Sequence, residues 1–320
     1  PNGDVFVAEP AVGRITLLRD SDGGGRADVR STFAEGFQRP HGMAFQPGWL
    51  YVADVEAVWR IPYEPGQTVA AGQRQRVTAP GALGDGAGHW TRNLAFSADG
   101  QRFFVAIGSR GNLAEDPPPR ATIQEFAADG SRQRSFAGGL RNPVGIAFRP
   151  GTDELFTVVN ERDGMGDGLV PDYLTRVLDG GFYGWPYSWL GQPQPGFADK
   201  RPDLVSRTRQ PDLLLAAHSA PLGLVFYDGG QFPPEYRGNA FIALHGSWNS
   251  GRPTGYMVVR VRFANGHPDT AYQVFATGFR LNSGSPAEVW GRPVGLAVAA
   301  DGSLLVADDV GQTVWRISYQ

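Results

Sequence analysis

Short apolar runs, broken by turns rich in glycine and proline, recur along the whole chain. The repeating unit is an apolar strand, a turn, and a second apolar strand ending in a small or acidic residue. It reads GMAFQPGWLYVAD from Gly42, NLAFSADGQRFFVAIG from Asn93 and GIAFRPGTDELFTVVN from Gly145. It returns as GLVFYDGGQFPPEYRGNAFIALHG from Gly223 and GLAVAADGSLLVADD from Gly295. A third strand follows most copies, as in VWRIPY from Val58, GYMVVRVRF from Gly255 and VWRISY from Val314. A fourth follows some, as in TAYQVFATGF from Thr270. Each copy predicts a four-stranded antiparallel sheet, with strands A to D. One such sheet cannot bury both faces, so copies must stack in a ring as the blades of a β-propeller.

The N-terminal PNGDVFVAEP matches ADGSLLVADD near the C-terminus, which makes it strand B of a further blade. RITLLRD and DVRSTFAEGF supply its strands C and D. The prediction is an all-β, six-bladed β-propeller occupying residues 1–320 as a single domain. The first blade lacks strand A and the last stops at strand C. Propellers close by combining N- and C-terminal strands in one blade, which protects sheet edges. The expectation is therefore that an N-terminal piece carrying the two closing strands is missing from this chain. The stretch from Gly191 to Leu215 reads as a long loop of the fourth blade.

Composition narrows the function classes. A net charge of −3 suggests neither nucleic acid nor an anionic membrane as partner. No apolar run approaches the roughly 20 residues that span a bilayer. Cysteine is absent, which excludes disulfides, cysteine–zinc sites and thiol catalysis. The 44 glycines and 25 prolines, without collagen period, fit many tight turns.

Propeller geometry sorts the unusual polar residues. The D-to-A and B-to-C connections lie on one face, and the start of strand A stands at the channel mouth. Before strand A come RPHG (His41), GHWTRN (His89), LRNPVG (Arg141, Asn142), HSAPLG (His218) and WGRPVG (Arg292). In B-to-C loops come GSRGN (Asn112), NERDGMGDG (Glu161 to Gly168) and HGSWNSGRPTG (His245 to Gly255). Four of the five histidines fall on this face. Arginines suit carboxylates, histidine suits general base work, aromatic rings give flat walls, and an acidic glycine-rich loop suits a hard cation. Together they describe a flat polyanionic cofactor, an oxygen-ligated ion and a base.

In order, GHWTRNLAFSADG, LRNPVGIAF, VNERDGMGDG…GGFYGWPYSW, HSAPLGLVFY, HGSWN…PTGYMVVRV and GRPVGLAV resemble the soluble quinoprotein glucose and sorbosone dehydrogenases, the sorbosone branch more closely. The resemblance spans nearly the whole chain. It implies a dehydrogenase dependent on pyrroloquinoline quinone (PQQ) and calcium, acting on an aldose, pyranose or related sugar hydroxyl. Electrons would leave to an external acceptor such as a quinone, dye or cytochrome, and the location would be secreted or periplasmic. His89 matches the family's catalytic base. Arg141 and Asn142 match the pair that contacts the quinone oxygens, with Arg141 polarising them. Arg292 matches a partner of a cofactor carboxylate, and His245 and Trp248 sit where family members approach the cofactor. Arg162 and Asp163 match the positions whose carbonyls hold calcium, with Asp167 a further candidate. GGFYGWPYSW is expected to be mainly structural.

One departure stands out. Where the family commonly has a lysine reaching toward the cofactor, GYMVVRV carries Met257, which has neither charge nor donor. Two other classes therefore remain open: a cofactor-free carbohydrate- or ligand-binding propeller, and a calcium-dependent lactone or ester hydrolase. DSDGGGRAD, from Asp20 to Asp28, has only part of a calcium loop and reads as a polar turn.

Overall fold

A computed structural model describes residues 2–319. Six antiparallel sheets follow one another along the chain as propeller blades. The first holds Val5–Glu9, Arg14–Arg19 and Val29–Glu35. The second runs Gly42–Gln46, Trp49–Ala53, Val58–Pro62, Gln75–Arg76 from inside out, and the third Arg92–Phe96, Arg102–Ile107, Thr122–Ala127, Arg134–Gly138. The fourth runs Asn142–Phe148, Leu155–Asn160, Tyr173–Val177, Leu213–Leu214, and the fifth Pro221–Phe226, Ala240–Leu244, Met257–Val261, Gln273–Ala276. The sixth has three strands, Pro293–Val298, Leu304–Asp308 and Thr313–Ile317. The first and last blades thus carry the strands B–C–D and A–B–C expected of them.

Two details differ from the sequence reading. Gly181–Phe182 pairs in parallel with Arg134–Gly138 and adds a fifth strand to the third blade. The stretch from Gly191 to Leu215 is not wholly loop: it carries the helical turn Pro202–Val205 and ends in the outermost strand of blade four. Leu213 and Leu215 are buried there with Leu174 and Val158, so apolar burial rather than period places that strand.

Five apolar clusters fill the gaps between consecutive blades, from Ile15–Phe33–Leu50–Ile61 in the first gap to Tyr227–Phe241–Leu304–Val306 in the fifth. The junction of blade six with blade one carries the ion pair Arg316–Asp20 at 3.6 Å. The innermost strands touch in series around the channel, which explains the glycine that opens most repeats. A Cβ on Gly42 would sit 2.6 Å from Asn93 Cα, and one on Gly145 2.8 Å from Leu224 N. One on Gly223 would strike the Val294 carbonyl. Gly223→Ala therefore has no room to relax except by moving a neighbouring blade, at a cost of about 1–3 kcal/mol. Its melting temperature should fall by several degrees, whereas Gly138→Ala, which meets nothing within 4 Å, should not.

The acidic end of strand B also has a use. Asp54 accepts from Gln38 N at 3.0 Å and from Glu56 and Ala57 N at 2.9 Å. Asp308 accepts from Arg292 N and Gly311 N at 2.8 Å. One carboxylate thereby ties the segment entering strand A to the B-to-C turn, satisfying backbone donors that would otherwise be stranded.

Candidate active site

His89 lies in the segment entering strand A of blade three. Its backbone N donates to Ser109 O at 3.1 Å, and its Nδ1 is 2.9 Å from the same carbonyl and 3.0 Å from Ser109 Oγ. A carbonyl only accepts, so the network assigns the proton to Nδ1 and leaves Nε2 bare. Nε2 makes no hydrogen bond among the described residues. Burial, followed by the charge of Arg141, lowers the ring to about 4 from its ordinary 6.5. At neutral pH the ring is an uncharged base in a fixed orientation.

Gly108 separates His89 from Asn142. A Cβ there would lie 2.6 Å from His89 Cβ and closer still to Asn142 Oδ1. Asn142 is buried, and its Oδ1 has no hydrogen-bond partner. A buried polar atom without a partner is uncommon, and this one adjoins the bare base.

Arg141 is buried and fully engaged. It donates to Asn112 O at 3.2 Å, Asn160 O at 3.3 Å, Glu161 O at 2.7 Å, Asn112 Oδ1 at 2.9 Å and Asp163 Oδ2 at 3.1 Å. Its donors hold loops together, and its action at the mouth is through charge. Asp163 is the hub of this network. Its Oδ1 accepts from Asn249 Nδ2 at 2.8 Å and faces His218 Nδ1 at 3.2 Å. Its backbone N donates to Asn112 Oδ1 at 2.8 Å, and its carbonyl accepts from Asn112 Nδ2 at 2.9 Å. Residues from blades four and five meet at this carboxylate, and Asn112 of blade three binds the backbone behind it.

The other expected residues divide. Arg162 turns away from the mouth: it donates to Glu161 Oε2 at 2.9 Å, Gln194 Oε1 at 2.9 Å and Ser188 O at 2.7 Å. Asp167 accepts from Gly251 N at 3.0 Å and so joins the loops of blades four and five. His245 Nε2 lies 3.1 Å from both oxygens of Asp309. Burial works to raise the Asp309 carboxyl, and His245 and Arg292 outweigh it, leaving it below its ordinary value. Arg292 donates to Gly246 O at 3.2 Å, with its guanidinium 5.1 Å from the Tyr256 ring. Its Nε and Nη2 make no hydrogen bond among the described residues. Trp248, beside Asn249, is 79% exposed. Met257 packs with Leu244, Val259 and Val261 in the cluster between blades four and five. Where the resemblance implies a lysine, the Met257 side chain thus packs against the inter-blade core, and Arg292 provides a cation with unspent donors at this face. As expected, Tyr183 and Trp185 are buried supports, Trp185 donating to Asn112 O at 3.0 Å.

Ser109, Gly108, Asn249, Asp309 and Asp172 escaped the sequence reading. Asp172 is buried and accepts from Glu161 N at 2.8 Å, Ala220 N at 2.9 Å and Ser219 Oγ at 3.2 Å, joining the loops that carry Asp163 and His218. The acid closing LLVADD could have pointed to Asp309. PDY around Asp172 carries no comparable signal.

The buried imidazoles make stability depend on pH. Burial, then Arg92, lowers His41 to about 4, as burial and Arg141 do for His89. Unfolded, both bind protons near 6.5, so their contribution is present above that pH and lost as pH falls toward 4. Asp172 has the opposite sign: burial raises it from 3.8 to about 7, and its contribution is lost as pH rises through that window. The expected net between pH 6.5 and 4 is one proton, roughly 1.4 kcal/mol per pH unit, destabilising toward acid. Denaturation midpoints across this range should show that slope, and His89→Gln should remove most of it.

The mouth offers a planar polyanion the amide nitrogen of Asn142 and the unspent donors of Arg292, and offers a hydroxyl the bare Nε2 of His89 as acceptor. Calcium finds less. Asp163 and Asp167 are already accepting hydrogen bonds, and among the described residues no three His, Cys, Asp or Glu side chains stand close enough to hold a metal. Any such ion would need oxygens from the cofactor to complete the six to eight that calcium takes.

Comparison with known proteins places the chain. An uncharacterised protein of Borreliella burgdorferi is 30% identical over 301 residues, 90% of this chain and 78% of that one. The pyrroloquinoline quinone-dependent pyranose dehydrogenase of Coprinopsis cinerea is 27% identical over 381 residues, 98% of this chain but 51% of that protein. The chain therefore spans about half the length of that enzyme. The calcium structure of a Trichoderma reesei member of carbohydrate-active enzyme family AA12 superposes with a TM-score of 0.81 at 21% identity, covering 97% of this chain and 89% of that one. The TrAA12-like family model matches residues 1–170 and 191–320, and the chain belongs to that family.

Proposed function

We propose that this chain is a PQQ-dependent sugar dehydrogenase that oxidises a hydroxyl of an aldose or pyranose and passes the electrons to an external acceptor. The observation that carries the reading is the bare, neutral His89 Nε2 at the channel mouth, next to the unspent donors of the same face. PQQ, when bound, supplies the two-electron acceptor for the hydride leaving the substrate's C–H bond. His89 Nε2 takes the hydroxyl proton as that hydride departs, so the carbonyl product forms without a free alkoxide. Asn142 and the unspent donors of Arg292 hold the polar edge of the cofactor, and Arg141 adds positive potential where negative charge develops. Calcium belongs to the proposal: the carbonyls of Arg162 and Asp163 would hold it, and it would offset negative charge on the cofactor. The enzyme is proposed to act outside the cytoplasm. Among the described residues no helix is long and apolar enough to cross a membrane.

The test is reconstitution. PQQ with calcium at a hundred times its dissociation constant should stabilise the chain by about 2.7 kcal/mol, a rise of several degrees in melting temperature. Sugars should then drive reduction of a redox dye, and a chelator should reverse the calcium-dependent part. Sugar binding by calorimetry without any PQQ effect would support the cofactor-free binding class instead. Lactone hydrolysis without PQQ would support the hydrolase.

A further inference from the structure

Arg120 precedes Thr122–Ala127 in the B-to-C loop of blade three, and its side chain is 1% exposed. A buried guanidinium ordinarily faces a carboxylate. This one faces carbonyls. Nη1 donates to Asp85 O at 2.9 Å, and Nη2 to Ser109 O at 2.8 Å, His89 O at 3.4 Å and Ala87 O. Its nearest carboxylate, Asp85, is 3.8 Å away and is held at 2.6 Å by Arg110. Arg92 closes on the same loop from the other side, donating to Asp85 O at 2.6 Å and His89 O at 3.2 Å. Two buried cations thus enclose the short loop that ends in His89. The Ser109 carbonyl joins the two systems, accepting from His89 N, His89 Nδ1 and Arg120 Nη2.

We propose that Arg120 is a positioning residue for His89: by sharing the Ser109 carbonyl with the Nδ1–H and gripping the loop behind the ring, it fixes the tautomer and aim that leave Nε2 bare. The role rests on the dehydrogenase reading above for its purpose, though not for its geometry. Arg120 binds the Asp85, Ala87, His89 and Ser109 carbonyls at once, so the acceptor facing Nδ1 is held in place behind the ring. The charged groups acting on the ring are Arg141 and Asp163 from blade four and Arg120 from the loop of blade three, while Arg110 and Asp85 are spent on each other. Two cations against one carboxylate mean that Arg120 also helps to keep the ring uncharged.

The test reads the ring directly, in the chain without cofactor. Long-range nitrogen–proton NMR reports the tautomer and protonation of each of the five histidines, and His89→Gln identifies the signal. In the native chain the His89 signal should show Nδ1–H only and resist protonation well below 6.5. In Arg120→Met the tautomers should mix and the midpoint rise toward 6.5. In the PQQ-loaded enzyme the same variant should lose about tenfold in kcat with KM within about twofold, and Arg120→Lys should recover part of the loss. A folded Arg120→Met with native tautomer and midpoint overturns the proposal. Should Arg120→Met fail to fold, a native ring in Arg120→Lys overturns it equally, since an ammonium cannot reproduce the fork. An altered ring in a chain that no reconstitution makes active supports the positioning role and refutes the dehydrogenase.

Discussion

His89→Gln is expected to lower turnover about a thousandfold, roughly 4 kcal/mol of transition-state free energy, while leaving PQQ binding nearly intact. A glutamine amide can still donate to the Ser109 carbonyl, so the loop from Gly84 keeps its anchor. It cannot accept the hydroxyl proton, so the chemical step alone is lost. The two readouts separate those effects: the melting shift on adding PQQ should persist while dye reduction collapses. The pH profile adds a second check. Burial and Arg141 hold the ring near 4, so it stays deprotonated throughout the neutral range. In the native enzyme the limb reporting this group should fall below pH 5, well short of the 6.5 of a free imidazole, and it should be missing from His89→Gln. Retention of more than a tenth of native turnover by the variant would remove His89 from the role of base.

The blades were legible because their cause is periodic. Alternating apolar strands, the glycine where inner strands converge, and the acid at the end of strand B each follow from local geometry, and each recurs. The outer strand at Leu213–Leu214 was hidden because two residues form no period, and only burial against blade four defines it. The candidate site was half legible. Sorting residues by propeller face put His89, Arg141, Asn142, Asp163 and Arg292 on one side of the molecule. It could not say which side chains are spent on neighbours. Arg141 and Arg162 look alike in sequence as cations near the mouth, yet one braces the loops of blades three and four and the other is anchored to Ser188 and Gln194. At Met257 the sequence showed only a missing charge; that the side chain packs into the cluster between blades four and five, opposite Leu244, follows from register and burial.

Asp163→Asn tests whether the mouth is organised by one carboxylate. The substitution preserves size but places an amide where Arg141 Nη2, Asn249 Nδ2 and His218 Nδ1 all converge. An amide has one oxygen and one donor nitrogen, so at least one of these groups must face a donor, and Arg141 loses the negative charge that balances it. Arg141 is nearly fully buried, and removing the partner of a buried cation costs about 3–5 kcal/mol. For a chain of this size that corresponds to a fall in melting temperature of roughly 10 °C. Since Asp163 joins loops from blades three, four and five, the PQQ-dependent melting shift should vanish as well. Asp167→Asn is the matched control: that carboxylate accepts a single backbone hydrogen bond, from Gly251, and its replacement should cost about 1 kcal/mol or less. A variant at position 163 that melts within about 2 °C of the native chain would show that the oxygens of Asn112, Asn160 and Glu161 suffice to hold Arg141, and the hub would then be the guanidinium rather than the carboxylate.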